Sequence, residues 1–208
     1  MPVRQVVACL AVLMSPVTLQ AQATAKPATG TRYLLAPEGN EARFIVREQL
    51  AGATLPNDAV GSTRAISGAI VLDKSGRVDR SVSRIVVVLD SLKSDQDRRD
   101  RYIKRRTLVT DSFPTADFVP TELRGFPAKL PASGPITFAI LGDLTLHGVT
   151  RPVSWEATAT VNGSTIAGRA TTRLKFGDFG MERPRVMVVL SVEDDIKLEY
   201  DFRFVAAP

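Results

Sequence analysis

The sequence predicts an all-β domain, a single antiparallel up-and-down barrel of about eight strands with one short helix inserted. Three observations lead there. Apolar and polar residues alternate with a period of two through most of the chain, as in strands with one dry and one wet face. Short turns at "DKSG" (Asp73), "ASG" (Ala132), "HGVTRP" (His147) and "NGS" (Asn162) separate the runs, and neighbours joined so tightly run antiparallel. Several runs reach about ten residues, so an open sheet would leave a whole dry face in water. Closure into a barrel hides that face and removes the edges. A two-sheet sandwich is the rival arrangement.

The chain opens on what reads as a targeting segment. Met1–Arg4 carries one positive charge, Val6–Leu19 is apolar but interrupted by Pro16, and "AQA" at Ala21–Ala23 is a small-residue cleavage pattern. Residues 1–23 are therefore expected to be a secretory signal peptide. Cys9, the single cysteine, lies inside the apolar run rather than after it, which argues against a lipid-anchored thiol. Removing this segment takes away one charged side chain, Arg4, and leaves a net charge of about +4 from the +5 of the whole chain. Residues 24–31 read as a disordered polar tether. Residues 32–206 read as one domain, large enough for a single core without disulfides. The expected location is the periplasm or the outside of the cell.

The strands follow in order. Arg43–Gln49 points Phe44 and Val46 inward. "AISGAIVLD" from Ala65 aligns Ile66, Gly68, Ile70 and Leu72, and "RIVVVLD" from Arg84 aligns Ile85, Val87 and Leu89. Ala116–Leu123 is the next strand. "PITFAILGDLTLHG" aligns Ile136, Phe138, Ile140, Gly142, Leu144 and Leu146; "VSWEATATV" aligns Val153, Trp155, Ala157, Ala159 and Val161. "IAGRATTRLKF" sets Ile166, Gly168, Ala170, Leu174 and Phe176 against Arg169, Arg173 and Lys175. The last strand, "IKLEYDFRF", sets Ile196, Leu198, Tyr200, Phe202 and Phe204 against charged residues. Between strands, "SLKSDQDRRDRYIKRR" (Ser91–Arg106) predicts a short helix. Ser94 and Asp97 form a capping-box-like start, with i,i+4 pairs Asp97–Arg101 and Asp100–Lys104.

Little in this pattern can do chemistry. His147, the one histidine, lies next to the glycine of a strand end, with Asp143 and Thr145 on the same polar face. No G-x-S-x-G turn supplies a nucleophile, so the ring is read as tethering its turn, with no catalytic residue assigned. One histidine without a mature cysteine excludes the common zinc and copper sites, and Glu193–Asp195 lacks the alternating calcium-loop pattern. That acidic triplet reads as a solvated turn. No cofactor is expected, and export argues against nucleic acid. The basic run Arg98–Arg106 reads first as a solvated helix face, with phosphate or a membrane surface as its other possible partner. The inward faces alternate large residues with Gly68, Gly142, Ala157, Ala159, Gly168 and Ala170, which favours a cavity for an apolar ligand.

The stretches "GDLTLHGVTRPVSW", "RRDRYIKRRTL", "DSFPTADFVPTEL", "ISGAIVLDKSG" and "FGDFGM" together resemble the YceI-like family over Tyr33 to about Phe204. The resemblance implies an exported lipocalin-like barrel that holds a polyisoprenoid or other long-chain amphiphile in an apolar tunnel. It departs at "YLLAPEGNEARF", with Ala36 where the family carries aspartate and Asn40 near its serine. Arg47 and Glu48 stand where a histidine often follows. These departures bear on polar contacts at that end rather than on the barrel.

The expected tunnel lining is Phe44, Val46, Ile66, Ile70, Leu72, Ile85, Val87, Leu89, Phe138, Ile140, Leu144, Leu146, Trp155, Ala157, Leu174, Phe176, Leu198 and Phe202. Arg98, Arg101 and Tyr102 are the expected head-group contacts. The expected function is sequestration or carriage of the amphiphile, with transient membrane-surface contact and a homodimer as further expectations. The alternative is an isomerase or hydrolase on the same scaffold, using His147, Asp143 or Tyr200. An integral outer-membrane barrel is disfavoured, because one tryptophan and three tyrosines cannot build aromatic girdles.

Overall fold

The computed structural model describes residues 30–52, 54–187 and 189–207. The expected signal peptide, Cys9 and the tether up to Thr29 lie outside them. Gly30 and Thr31, read as tether, instead begin the first strand. The segments are β1 (Gly30–Leu35), β2 (Glu41–Leu50), β3 (Asn57–Thr63), β4 (Ile66–Asp73), β5 (Arg84–Val88), β6 (Lys93–Ser94), α1 (Asp97–Tyr102), β7 (Thr115–Arg124), β8 (Ser133–Leu146), β9 (Val149–Asn162), β10 (Thr165–Leu174) and β11 (Val189–Ala207).

Eight of these strands close an antiparallel ring in the order β1-β4-β5-β7-β8-β9-β10-β11 and back to β1. The other three extend it at one end. β2 continues β1 along the same edge of β11: Leu35 faces Phe204 and, after a bend at 36–40, Glu41 faces Asp201. β3 leads into β4 in the same way, with β3 on β2 and β4 on β1. β6 flanks β3 as β5 flanks β4. The wall thus has eight strand paths, three of them broken in two.

Two of the breaks have a clear local cause. Asn40 holds the first bend: its amide donates to the Ala36 carbonyl (2.8 Å) and its Oδ1 accepts from the Arg203 N–H (3.0 Å). Thr63 turns β3 into β4, accepting the Ala65 N–H on its hydroxyl (3.0 Å). A third irregularity lies in β7, where Pro120 has no N–H for the ladder and the register shifts between it and Glu122. β8 and β9 form the longest hairpin, closed by a two-residue turn whose residues, His147 and Gly148, both have positive φ (51° and 74°). That is the primed geometry that suits the twist of paired strands.

β3 is not legible as a strand because its inward residues are Ala59, Gly61 and Thr63, too small to mark a face. Gly61 is small because the Phe44 ring lies on it; a Cβ there would sit 2.3 Å from Phe44 Cε1. β11 also starts seven residues before the expected Ile196. Glu193–Asp195 form no turn: they bulge within β11 opposite the single Arg47 of β2. Within the bulge Asp194 accepts the Phe176 N–H (3.2 Å) and Asp195 pairs with Arg173.

The interior is two clusters. Tyr33, Leu72, Phe138, Ala157, Ala159, Val161, Phe202 and Phe204 fill one end, with Phe126 folded in from the β7–β8 loop. Leu89, Leu92, Leu108, Leu144, Leu146, Leu174, Phe176, Phe179 and Met181 line the other.

Candidate ligand cavity

The second end is hollow. A cavity of about 880 Å³ lies inside the wall, toward the upper end of the range of ligand pockets. Of the expected lining, Phe44, Val46, Ile70, Ile85, Val87, Leu89, Ile140, Leu144, Leu146, Trp155, Leu174, Phe176 and Leu198 border it. Ile66, Leu72, Phe138, Ala157 and Phe202 do not. All five pack into or against the filled cluster, where ring-on-ring contacts occupy the bore: Phe126–Phe138 centroids are 5.0 Å apart and Phe202–Phe204 5.7 Å.

The small inward residues were expected to make the cavity, and among them only Ala170 borders it. The others let bulk or backbone approach. A Cβ on Gly142 would meet Phe118 Cζ at 2.5 Å, and one on Gly168 would meet the Thr158 carbonyl at 2.2 Å. Ala157 and Ala159, 1% and 3% exposed, face the phenylalanines of the filled end. The hollow end is bordered by the extensions of the wall, β2 through Phe44 and Val46 and β3 through Asn57 and Ala59.

Charged lining residues gather at the mouth, apart from Arg43 and Glu199, which face each other across β2 and β11 at 3.6 Å. Asp95 and Gln96 before α1, Arg98, Arg99, Arg101 and Tyr102 on it, and Arg105 and Arg106 on the π-turn Ile103–Thr107 that continues it border the mouth. The helix is held by other contacts than those expected. Its N-cap, Gln96, makes no side-chain cap bond, and the carboxylate of Asp100 turns back to accept from the Ser94 N–H (2.9 Å) and hydroxyl (2.6 Å). The pairs Asp97–Arg101 and Asp100–Lys104 are replaced by Asp95–Arg99 and by Lys104 donating to the Asp90 carbonyl. Arg99 also grips Glu48 of β2 at 2.7 Å, with the Glu48 side chain only 8% exposed. The residue that departs from the family's histidine thus fastens α1 to the wall.

Three buried side-chain polar atoms lack a partner among the described residues, and two of the three residues, Thr107 (Oγ1) and Trp155 (Nε1), line the cavity. Tyr200 lines it too, its phenol pushed far up by burial, with its hydroxyl 3.4 Å from Asn40 Oδ1. His147 lies in its turn: Nδ1–H donates to the Phe179 carbonyl (3.2 Å) and the ring rests on Phe113, centroids 4.7 Å apart. Asp143 is held by Arg80 at 2.8 Å. Neither borders the cavity, so the three candidates of the enzyme alternative do not converge. No group of three or more His, Cys, Asp or Glu suited to a metal occurs among the described residues.

An apolar chamber, filled by rings at one end and bordered by charged residues at the other, stands where the resemblance implied a tunnel. The model of the YceI-like domain matches residues 33–204. This chain belongs to the YceI-like family. A UPF0312 protein of Pseudomonas putida (strain W619) is 31% identical over 131 residues, 60% of this chain and 64% of that relative. The chain spans 49% of the length of two other Pseudomonas putida relatives. A UPF0312 protein of Yersinia enterocolitica is 27% identical over 183 residues, 82% of this chain and 89% of its own. Among solved structures, a polyisoprenoid binding domain from Saccharophagus degradans implicated in plant cell wall breakdown superposes with a TM-score of 0.63 at 12% identity. It covers 86% of this chain and 100% of its own. Burkholderia cenocepacia BcnA gives 0.57 at 15%, covering 79% and 95%. At these identities the likeness is one of fold.

Proposed function

We propose that the protein binds and carries a long-chain polyisoprenoid or similar amphiphile and catalyses nothing. The observation that carries this is the barrel's asymmetry: an apolar cavity of about 880 Å³, shut by aromatic rings at one end and bordered by arginines at the other. Each methylene buried contributes about 0.8 kcal/mol, so a long tail is held by length alone. The head group stays at the mouth beside Arg98, Arg101 and Tyr102, and Thr107 and Trp155 offer hydrogen bonds to polar atoms along the ligand. The secretory reading of residues 1–23 supports periplasmic or extracellular carriage.

The test is native mass spectrometry of protein purified without detergent, with organic extraction of any retained mass. A prenyl or acyl compound, displaced in Ala116→Trp, supports the proposal, because Ala116 borders the cavity. A clean apo mass that is unchanged after incubation with long-chain prenols would overturn it. Ala157→Phe would not displace such a compound, since that position lies in the filled end.

A further inference from the structure

Six arginines stand about the mouth: Arg98, Arg101, Arg105 and Arg106 on α1 and its π-turn, and Arg183 and Arg185 on the segment entering β11. The ion pairs of α1 run through Arg99, to Glu48 and Asp95, and none of the six forms one among the described residues. Asp97 and Glu182 stand among them, so the patch stays strongly cationic. The Arg185 N–H donates to the Tyr102 hydroxyl (3.3 Å), so both groups belong to one rim.

The same rim carries the most exposed large apolar side chains described: Met187 at 100%, Leu55 at 74% and Leu190 at 68%. Val189 pairs with Leu50 next to the β2–β3 turn that carries Leu55, and Met187 borders the mouth. The remaining exposed apolar residues, such as Leu34 and Val82, are scattered and less exposed. Leucine and methionine held in water beside unpaired guanidinium groups fit a surface that is anionic outside and apolar just beneath. A soluble acidic protein would match the charge but leave no reason for three such side chains around an opening.

We infer that this rim docks the barrel, mouth down, on an anionic lipid bilayer. Met187, Leu190 and Leu55 enter the head-group boundary while the arginines meet lipid phosphates. The docking needs only the rim; what it achieves rests on the proposed carriage, since an amphiphile would then pass between bilayer and bore without crossing water.

The test is flotation of full-length processed protein with phosphatidylcholine vesicles, with and without phosphatidylglycerol. The protein should float with the anionic vesicles and release as salt rises, because about 1 M salt screens charges beyond about 3 Å. Each neutralisation among R98Q, R101Q, R105Q and R106Q should weaken partitioning about fivefold. Met187→Glu with Leu190→Glu should abolish it, and Val82→Glu, at the filled end, should leave it unchanged. Equal binding to both vesicle types, or full binding by the rim variants, would overturn the inference. Self-association lost in Met187→Glu without any flotation would also overturn it, in favour of a second copy capping the mouth. Release by inorganic phosphate at constant ionic strength would mean that the arginines take a soluble anion. Flotation without prenol retention sinks the carriage alone, and retention without flotation sinks the docking alone.

Discussion

At one end of the barrel Phe126, Phe138, Phe202 and Phe204 stack into the bore; at the other, leucines stand back from a space of about 880 Å³. The same strands build both ends: β8 contributes Phe138 to one and Leu144 and Leu146 to the other. What differs is the side chains that face across the bore, rings at one end and mostly leucines at the other, where β2 and β3 add to the wall. Packing and open space are therefore separated along the barrel axis, with a packed plug at one end of the wall and an unpacked chamber at the other.

Truncation tests that separation most strongly. Phe202→Ala, at a side chain 2% exposed among other rings, is expected to cost about 3–5 kcal/mol through lost transfer energy and a new void. Leu144→Ala, also buried but bordering existing space, should cost about 2 kcal/mol, because part of its contact is already missing. Urea unfolding of the two variants measures the difference. Equal costs would mean that the chamber closes in solution.

The wall was legible in the sequence, but the division of its bore into plug and chamber was not. Period two placed most wall strands and their inward faces, because bulky residues such as Phe202 and Leu144 mark a dry face wherever they stand. Periodicity reports a face but not its height along the axis, so Phe138 and Leu144 read alike although one fills and the other borders space. Small residues misled for the same reason: Gly142 and Gly168 are small to admit Phe118 and a neighbouring backbone, which is set by contacts across strands. The Glu48–Arg99 tie was likewise hidden, since it joins residues 51 apart in sequence.

That tie gives the next prediction, at the hollow end alone. Glu48→Ala leaves Arg99, 16% exposed, with Asp95 as its remaining partner, frees α1 from the wall and should cost about 1–2 kcal/mol. Hydrogen exchange should quicken in α1 and leave the filled end protected. Uniform loss of protection would show that the two ends unfold as one unit. A smaller effect is expected at the β8–β9 turn, where His147→Ala removes the bond to Phe179 and keeps an L side chain at positive φ. About 1 kcal/mol should be lost with prenol retention unchanged; lost retention at full stability would bring His147 back into the site.

The smallest effect concerns the seam between the ends. Asp201 lies where β2 begins, gripped by Arg169 (2.6 Å) and by Arg43, and these contacts hold its carboxyl below the usual aspartate range. A carboxyl that is more acidic folded than unfolded contributes stability that is present above its unfolded value, about 4, and is lost as pH falls through the lower folded one. Wild type should therefore lose a modest increment between about pH 5 and the folded value, modest because the group is partly exposed and solvent screens it. Asp201→Asn should lack that increment at neutral pH and show a flatter profile in acid. If the acid loss comes mainly from this seam, β2 should exchange before the plug does, because Asp201 adds a tie to Arg43 of β2 that the backbone ladder alone does not supply. Loss of the plug first would put the acid-sensitive contacts at the filled end, where Ser75 and the Arg77 N–H hold Asp73 down to about 2.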